Sequence, residues 1–266
     1  MKSAIRILLL LVLASTAAFA GDDKKVVYIA TEEYPPYTSE RLKHFGIDGH
    51  IVSEAFRNEG IEVVYQFYPG ARSFEFAKNG EVDGTIPWAK REDRDQFFHY
   101  SDPVIQVDRE QFFYRKGLRF DWNPVHRDYS QINGKRFAAI ISYNYGKNFQ
   151  KAEADGVIHV ERVNTLKQAF RMLLFDRVDM VISKGRVATY ELQSNFAEEE
   201  ITQLDSRPEN VKPVSYDYLL FSKKRPNAQY FLEAFNRGLK KLYASGKYNQ
   251  FLRAFETGGY IIPENR

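Results

Sequence analysis

Side chains able to hold or transform a small molecule gather at a few places in this sequence. The charged run Lys90-Arg91-Glu92-Asp93-Arg94-Asp95 contains Arg94, and a planar guanidinium can grip a carboxylate with two parallel hydrogen bonds. Tyr34 and Tyr37 flank Pro35-Pro36; prolines fix the backbone, so a ring beside them is held ready at small entropic cost. Trp88 follows a β-branched stretch, where an indole is costly to expose unless it stacks on something. Arg72, after Pro69-Gly70-Ala71, offers a second cation. Each has a plainer reading: a solvated surface arginine in the charged run, tyrosines packed in an ordinary turn, a surface cation at Arg72.

Catalytic signatures are missing. The chain has no Gly-x-Ser-x-Gly elbow, no phosphate-cradling glycine loop and no His-Glu-x-x-His. The five histidines, His44, His50, His99, His126 and His159, lack metal-ligand spacing. No cysteine is present, which excludes disulfides, thiolate metal sites and a lipid attached to a cysteine. No cofactor is expected. Glu198-Glu199-Glu200 reads as a solvated acidic face. Glu32 and Glu33 could supply one acid, since adjacent residues on a strand point in opposite directions. The residues therefore point to capture of a small molecule rather than its conversion.

These side chains need a frame, and the sequence reads as alternating strands and helices, an α/β pattern. Strands are expected at residues 25–31, 62–67, 82–86, 136–141, 159–163 and 178–183. Ile51, Ala55 and Phe56 mark one face of a helix that Gly60 ends. A second helix lies around residues 73–78, and another runs from about 145 to 154. Thr165-Leu166-Lys167-Gln168 has the form of a capping box, opening a helix that buries Ala169, Phe170, Leu173 and Leu174. Near the C-terminus Ala228, Phe231, Leu232, Phe235, Leu239, Leu242 and Tyr243 fall at helical spacing, an apolar stripe read as core. Lys247 to Phe255 forms a final amphipathic helix.

Lys2 and Arg6, an apolar run over residues 7–14 and Ala18-Phe19-Ala20 have the form of a cleavable export signal covering residues 1–20. The run is too short to cross a bilayer. The formal charge of +3 loses Lys2 and Arg6 on cleavage, leaving +1, so no attraction to nucleic acid is implied. An exported chain without an anchor suits an enclosed compartment, the periplasm.

Several stretches, in order, resemble family 3 of the bacterial extracellular solute-binding proteins, the polar amino-acid type that serves ABC importers. They are Gly46-Ile47-Asp48-Gly49-His50-Ile51-Val52; Asn79-Gly80-Glu81-Val82-Asp83-Gly84 followed by Arg94 and Tyr100-Ser101-Asp102-Pro103; Ile132-Asn133-Gly134-Lys135-Arg136; and Ser245-Gly246-Lys247-Tyr248. The resemblance implies an α/β fold of the type II periplasmic-binding-protein kind, two lobes joined by two hinge strands with a ligand cleft between them. Lobe 1 would comprise residues 21–107 and 217–266, and lobe 2 residues 108–216. It also implies a monomer that docks on an ABC permease or a membrane sensor.

By the same resemblance Arg94 grips the ligand's carboxylate and Tyr34 and Tyr37 form an aromatic wall; Trp88, at a similar strand end, and Arg72, as a second cation, are further candidates. Tyr143 and Asn144 fall in the loop of lobe 2 that meets an anion. Two positions depart from the family pattern. Arg91 stands where a Thr or Ser is usual, and Ser183-Lys184 stands where an Asp receives the ligand's ammonium. A lysine repels an ammonium, so Lys184 in the cleft would favour an anionic group, such as a dicarboxylate, an aromatic acid or a peptide-like solute. The same scaffold also carries periplasmic cyclohexadienyl dehydratases, which would need a general acid such as Glu33.

Overall fold

The computed structural model describes residues 25–141, 143, 145–210 and 215–262. The proposed export signal, Ser142 and Asn144 fall outside the described residues. β-branched and apolar residues build a first sheet in the order β2-β1-β3-β11-β4. Its strands are β1 Lys25–Thr31, β2 Ile61–Phe67, β3 Gly84–Trp88, β4 Phe98–Tyr100 and β11 Ser215–Ser222. β1 runs parallel to β2 and β3, so the carboxyl ends of all three lie along one edge. β11 is antiparallel to β3 and β4.

A second sheet has the order β10-β6-β9-β7-β8. It contains β6 Glu110–Arg115, β7 Arg136–Ile140, β8 His159–Val163, β9 Met180–Lys184 and β10 Leu204–Pro208. β7 is parallel to β8 and β9, which again brings two strand ends side by side. The chain passes between the sheets at β5 (Ile105–Val107), which pairs antiparallel with Ser215, Tyr216 and Asp217 of β11. These two strands are the connection expected of a hinge, with one sheet in each lobe.

Helices cover the sheets because their apolar stripes demand it. In lobe 1, α1 (Gly46–Arg57) packs on α7 (Ala228–Ala244). Phe56 is fully buried with its ring 5.5 Å from Phe235 and 6.3 Å from Phe221 and Phe231. α2 (Gly70–Asn79) and α8 (Lys247–Glu256) complete this lobe. In lobe 2, α3 (Lys147–Ala154) and α4 (Leu166–Leu174) cover the sheet, followed by α5 (Gly185–Asn195) and the single turn α6 (Glu198–Ile201). The capping box at Thr165 forms as expected: its hydroxyl accepts from Gln168 N, and Gln168 reaches back to Thr165 N.

Some boundaries differ from the sequence expectation. α3 starts at Lys147 rather than 145, because Gly146 at φ +87° breaks the helical path. β3 starts two residues late, since Val82 and Asp83 form a bend that precedes the ladder. Tyr243 carries the stripe of α7 past the core edge; it is exposed and packs at a tilt against Tyr248, ring centres 4.2 Å apart. Leu174 is only half-buried, at the last turn of α4.

Candidate functional site

The turn after β1 carries the first wall of the cleft. Tyr34 N bonds Thr38 O at 2.8 Å and Tyr37 N bonds Tyr34 O at 3.0 Å, a tight loop that its prolines suit. The two rings stack at 5.7 Å and 16°. Tyr37 is fully buried behind Tyr34, and its hydroxyl donates to Asp108 Oδ1 at 2.7 Å. Asp108 follows β5, and its Oδ2 accepts from Arg186 N at 2.8 Å at the start of α5. One carboxylate thus ties a lobe 1 tyrosine to a lobe 2 helix.

Glu32 and Glu33 diverge as strand geometry requires. Glu33 is exposed and caps the Glu40 amide at 2.9 Å. The position does not suit an acid acting inside the cleft. Glu32 is half-buried and lies over Gly70 at the start of α2, where a Cβ would collide with its carboxylate. Burial, then the nearby Asp217, push its carboxyl above the ordinary value.

The end of β3 carries a separate group. Trp88 donates Nε1–H to Thr85 Oγ1 at 2.9 Å. Arg94, in a single 3-10 turn spanning Glu92–Arg94, lies 4.8 Å over the Trp88 ring and 5.3 Å over Phe74. One of its guanidinium nitrogens bonds Ala89 O at 2.8 Å, and no ion pair engages it among the described residues. Burial, then repulsion from Arg91, lower its pKa; a guanidinium nevertheless stays cationic. Arg91 turns away and pairs with Asp93 at 2.7 Å. Arg72 is exposed, and no side-chain contact joins it to these residues.

In lobe 2 the loop after β7 and the end of β9 face Tyr34. Together Tyr34, Glu110, Tyr143, Tyr145, Ile182, Ser183 and Lys184 line a cavity of about 250 Å³. Tyr143 is 40% exposed, whereas Tyr145 is buried and its hydroxyl oxygen accepts from Ile140 N–H at 2.8 Å. Arg94 belongs to the same strand-end edge of lobe 1 but not to the cavity lining.

Lys184 lines this cavity, on the cleft side that the sequence reading gave it. Its ammonium lies 5.5 Å from the Tyr34 ring centre and 5.9 Å from that of Tyr37, reaching from lobe 2 into lobe 1. It also acts on two buried acids: Asp48, in the first turn of α1, and Asp217, on β11. They are 0% and 4% exposed. Both oxygens of Asp48 and Oδ2 of Asp217 have no donor among the described residues. Two ionised carboxylates cannot bond one another, but one proton shared between them makes the bond that their proximity allows. Burial, opposed by Lys184, pushes Asp217 up to about 6. Asp48 is raised by burial and by Asp217. Lys184 thus lines the cavity without an ion pair among the described residues, while its charge lowers the carboxyl pKa of Asp48 and Asp217 from a distance.

Sequence reasoning missed Glu110, Asp48 and Asp217. Glu110 stands directly opposite Lys184 in the β6–β9 ladder, a pairing with no local signal. Asp48 sits inside a motif already singled out, yet nothing in that motif shows what the side chain meets.

Known structures share this architecture. An ancestral arginine-binding protein bound to arginine superposes with a TM-score of 0.66 at 19% identity, covering 86% of this chain and 97% of that one. A structure describing glutathione import through GshT and the cystine ABC importer of Streptococcus mutans gives 0.67 at 17% identity, covering 91% and 100%. A histidine kinase sensor domain similar to periplasmic binding proteins gives 0.68 at 15% identity, with the same coverage. Among proteins of curated function no sequence match is found. At these identities the likeness establishes the fold alone. The sequence itself decides the family, because the profile of one family matches residues 26–257, from the first strand through the last helix and so across both lobes. The chain belongs to the bacterial extracellular solute-binding proteins, family 3.

Proposed function

We propose that this chain is an exported solute-binding protein that encloses a small, amino-acid-like solute between its lobes and hands it to an ABC importer. The leader over residues 1–20 is removed on export to the periplasm, and the lobe boundaries fall at residues 107/108 and 216/217. The observation that carries this reading is the cavity between the sheets. Its lining comes from both lobes, with Tyr34 on one side and Tyr143, Tyr145, Ser183 and Lys184 on the other. A solute there stabilises the closed arrangement, because only that arrangement touches it from two sides.

The volume of about 250 Å³ suits a molecule of amino-acid size. Similar folds bind arginine, glutamine and glutamate, which supports the same solute class. Arg94, cationic and without an acid partner, is the group that takes the solute's carboxylate as the lobes close. Trp88 and Phe74 hold its plane, Tyr143 lies at the opposing cavity wall, and Asn144 is proposed as a further ligand contact. Lys184 lines the cavity beside Tyr34 and offers attraction to a second anionic group, offset in part by the buried Asp48 and Asp217 on which its charge also acts. With Glu33 directed outward, binding rather than dehydration is the reading favoured.

A thermal-shift screen of amino acids, dicarboxylates and small peptides tests this, since a ligand of the folded state raises the apparent stability. At least one solute should stabilise the purified chain, and Arg94→Ala should weaken its binding by about 1.5–3 kcal/mol, the scale of a charge-assisted hydrogen bond. Turnover of prephenate or arogenate, or a screen in which nothing binds, would reject the proposal. Reconstitution with the permease then separates delivery to an importer from signalling to a sensor.

A further inference from the structure

The ladder between β6 and β9 sets two opposite charges side by side at the cavity wall, Glu110 and Lys184. Lys184 sends its ammonium across the cleft to the tyrosine pair of lobe 1, and its charge acts on the buried acids from a distance. Glu110 stays at the cavity, and no cation pairs with it among the described residues. One of its oxygens, Oε2, accepts from Asn210 Nδ2 at 2.7 Å. The other accepts no hydrogen bond among the described residues, in a residue that lines the cavity.

The group that holds Glu110 is itself fixed. Asn210 is 2% exposed, and the same amide nitrogen donates to Glu209 Oε2 at 2.7 Å. Glu209 is 1% exposed and is neutralised by Arg127, whose Nε donates to Oε1 at 2.7 Å, with Tyr129 adding a hydroxyl at 2.9 Å. Trp122 Nε1 locks the Glu209 backbone carbonyl at 2.9 Å. This buried network consumes the charge of Glu209 but not that of Glu110. It orients a carboxylate in advance, at a wall shared with the Tyr34 and Tyr145 rings, whose faces also favour a cation.

We propose that Glu110 is a specificity-determining residue of the solute site, receiving the α-ammonium of the solute. Together with Arg94 it makes the site select molecules that carry both a carboxylate and a cation. The inference rests on the amino-acid-like binding function proposed above.

Calorimetric titration of wild type and Glu110→Gln with matched pairs of solutes tests it. The pairs are L-glutamate with glutarate, L-glutamine with glutaramate, and L-arginine with 5-guanidinopentanoate; within each pair only the α-ammonium differs. Wild type should bind an amino member at least ten-fold more tightly than its partner. Glu110→Gln, which keeps the bond from Asn210 and so the melting temperature, should abolish that preference while leaving the deaminated partner's affinity unchanged. Glu110→Asp should weaken the preference without removing it, which guards against a folding defect in the first variant. A preference that survives in Glu110→Gln, or deaminated members that bind wild type as well as their amino partners, would overturn this inference alone. Silence of the whole panel toward wild type would overturn the proposed function and this inference with it.

Discussion

Replacing Lys184 with methionine is the sharpest single perturbation of this protein. The side chain keeps its length and apolar stem and loses only its charge. In the native structure that charge faces two buried acids, Asp48 and Asp217. Asp217 is held at about 6 against an ordinary value of 3.8. A raised carboxyl contributes stability that is fully present below 3.8 and lost as the pH rises through about 6. The loss amounts to about 3 kcal/mol at neutral pH. Lys184 works against that loss from beyond ion-pair distance, so removing its charge costs about 1 kcal/mol, the scale of a screened charge interaction. For a chain of this size each kcal/mol moves the melting temperature by about 2–4 °C, so Lys184→Met should melt roughly 2–4 °C lower at pH 7.5. At pH 5 the acids take up protons and the uncompensated charge disappears, so most of the deficit should vanish. Melting curves of both proteins between pH 4.5 and 8 provide the assay. A deficit of the same size at pH 5 and pH 7.5, or none at pH 7.5, would refute the reasoning that Lys184 balances the acid pair.

Further outcomes follow from the same geometry. Asp217→Asn supplies an amide donor to the orphaned Asp48 oxygens, and should raise the melting temperature at pH 7.5 and flatten its dependence on pH between about 4 and 6. Tyr37→Phe removes the hydroxyl that bonds Asp108 and should cost about 1.5–3 kcal/mol in denaturant unfolding, the value of a hydrogen bond to a charged group. Arg94→Ala should lower the melting temperature by only a few degrees, since its Ala89 bond and ring contacts lie at the half-exposed end of β3, while solute affinity falls about 10- to 150-fold. Gly238→Ala should destabilise by about 1–3 kcal/mol, since its Cβ would meet the Ala55 carbonyl where α7 crosses α1; equal melting of the two proteins would show that the helices shift apart freely.

How far each level of information reaches is visible in particular residues. The alternation of strands and helices, the capping box at Thr165 and the buried stripe of α7 were legible because each depends on neighbours within one or two turns. The aromatic loop after β1 was legible for the same reason, as was the divergence of Glu32 and Glu33. Residue type and spacing also pointed to the family, through motifs whose order along the chain survives folding. Where Lys184 sends its charge was not legible. That depends on Asp48 and Asp217, which come from the first turn of α1 and from β11 and meet only once the hinge strands pair. Nor could the sequence show Glu110 at the cavity, because its place follows from the register of β6 against β9. What the sequence determined by itself was the set of elements and the chemistry available to them. Only tertiary structure decided which charges neutralise one another and which remain for a solute, because electrostatic interaction depends on distance and burial, and both are properties of packing between segments remote along the chain.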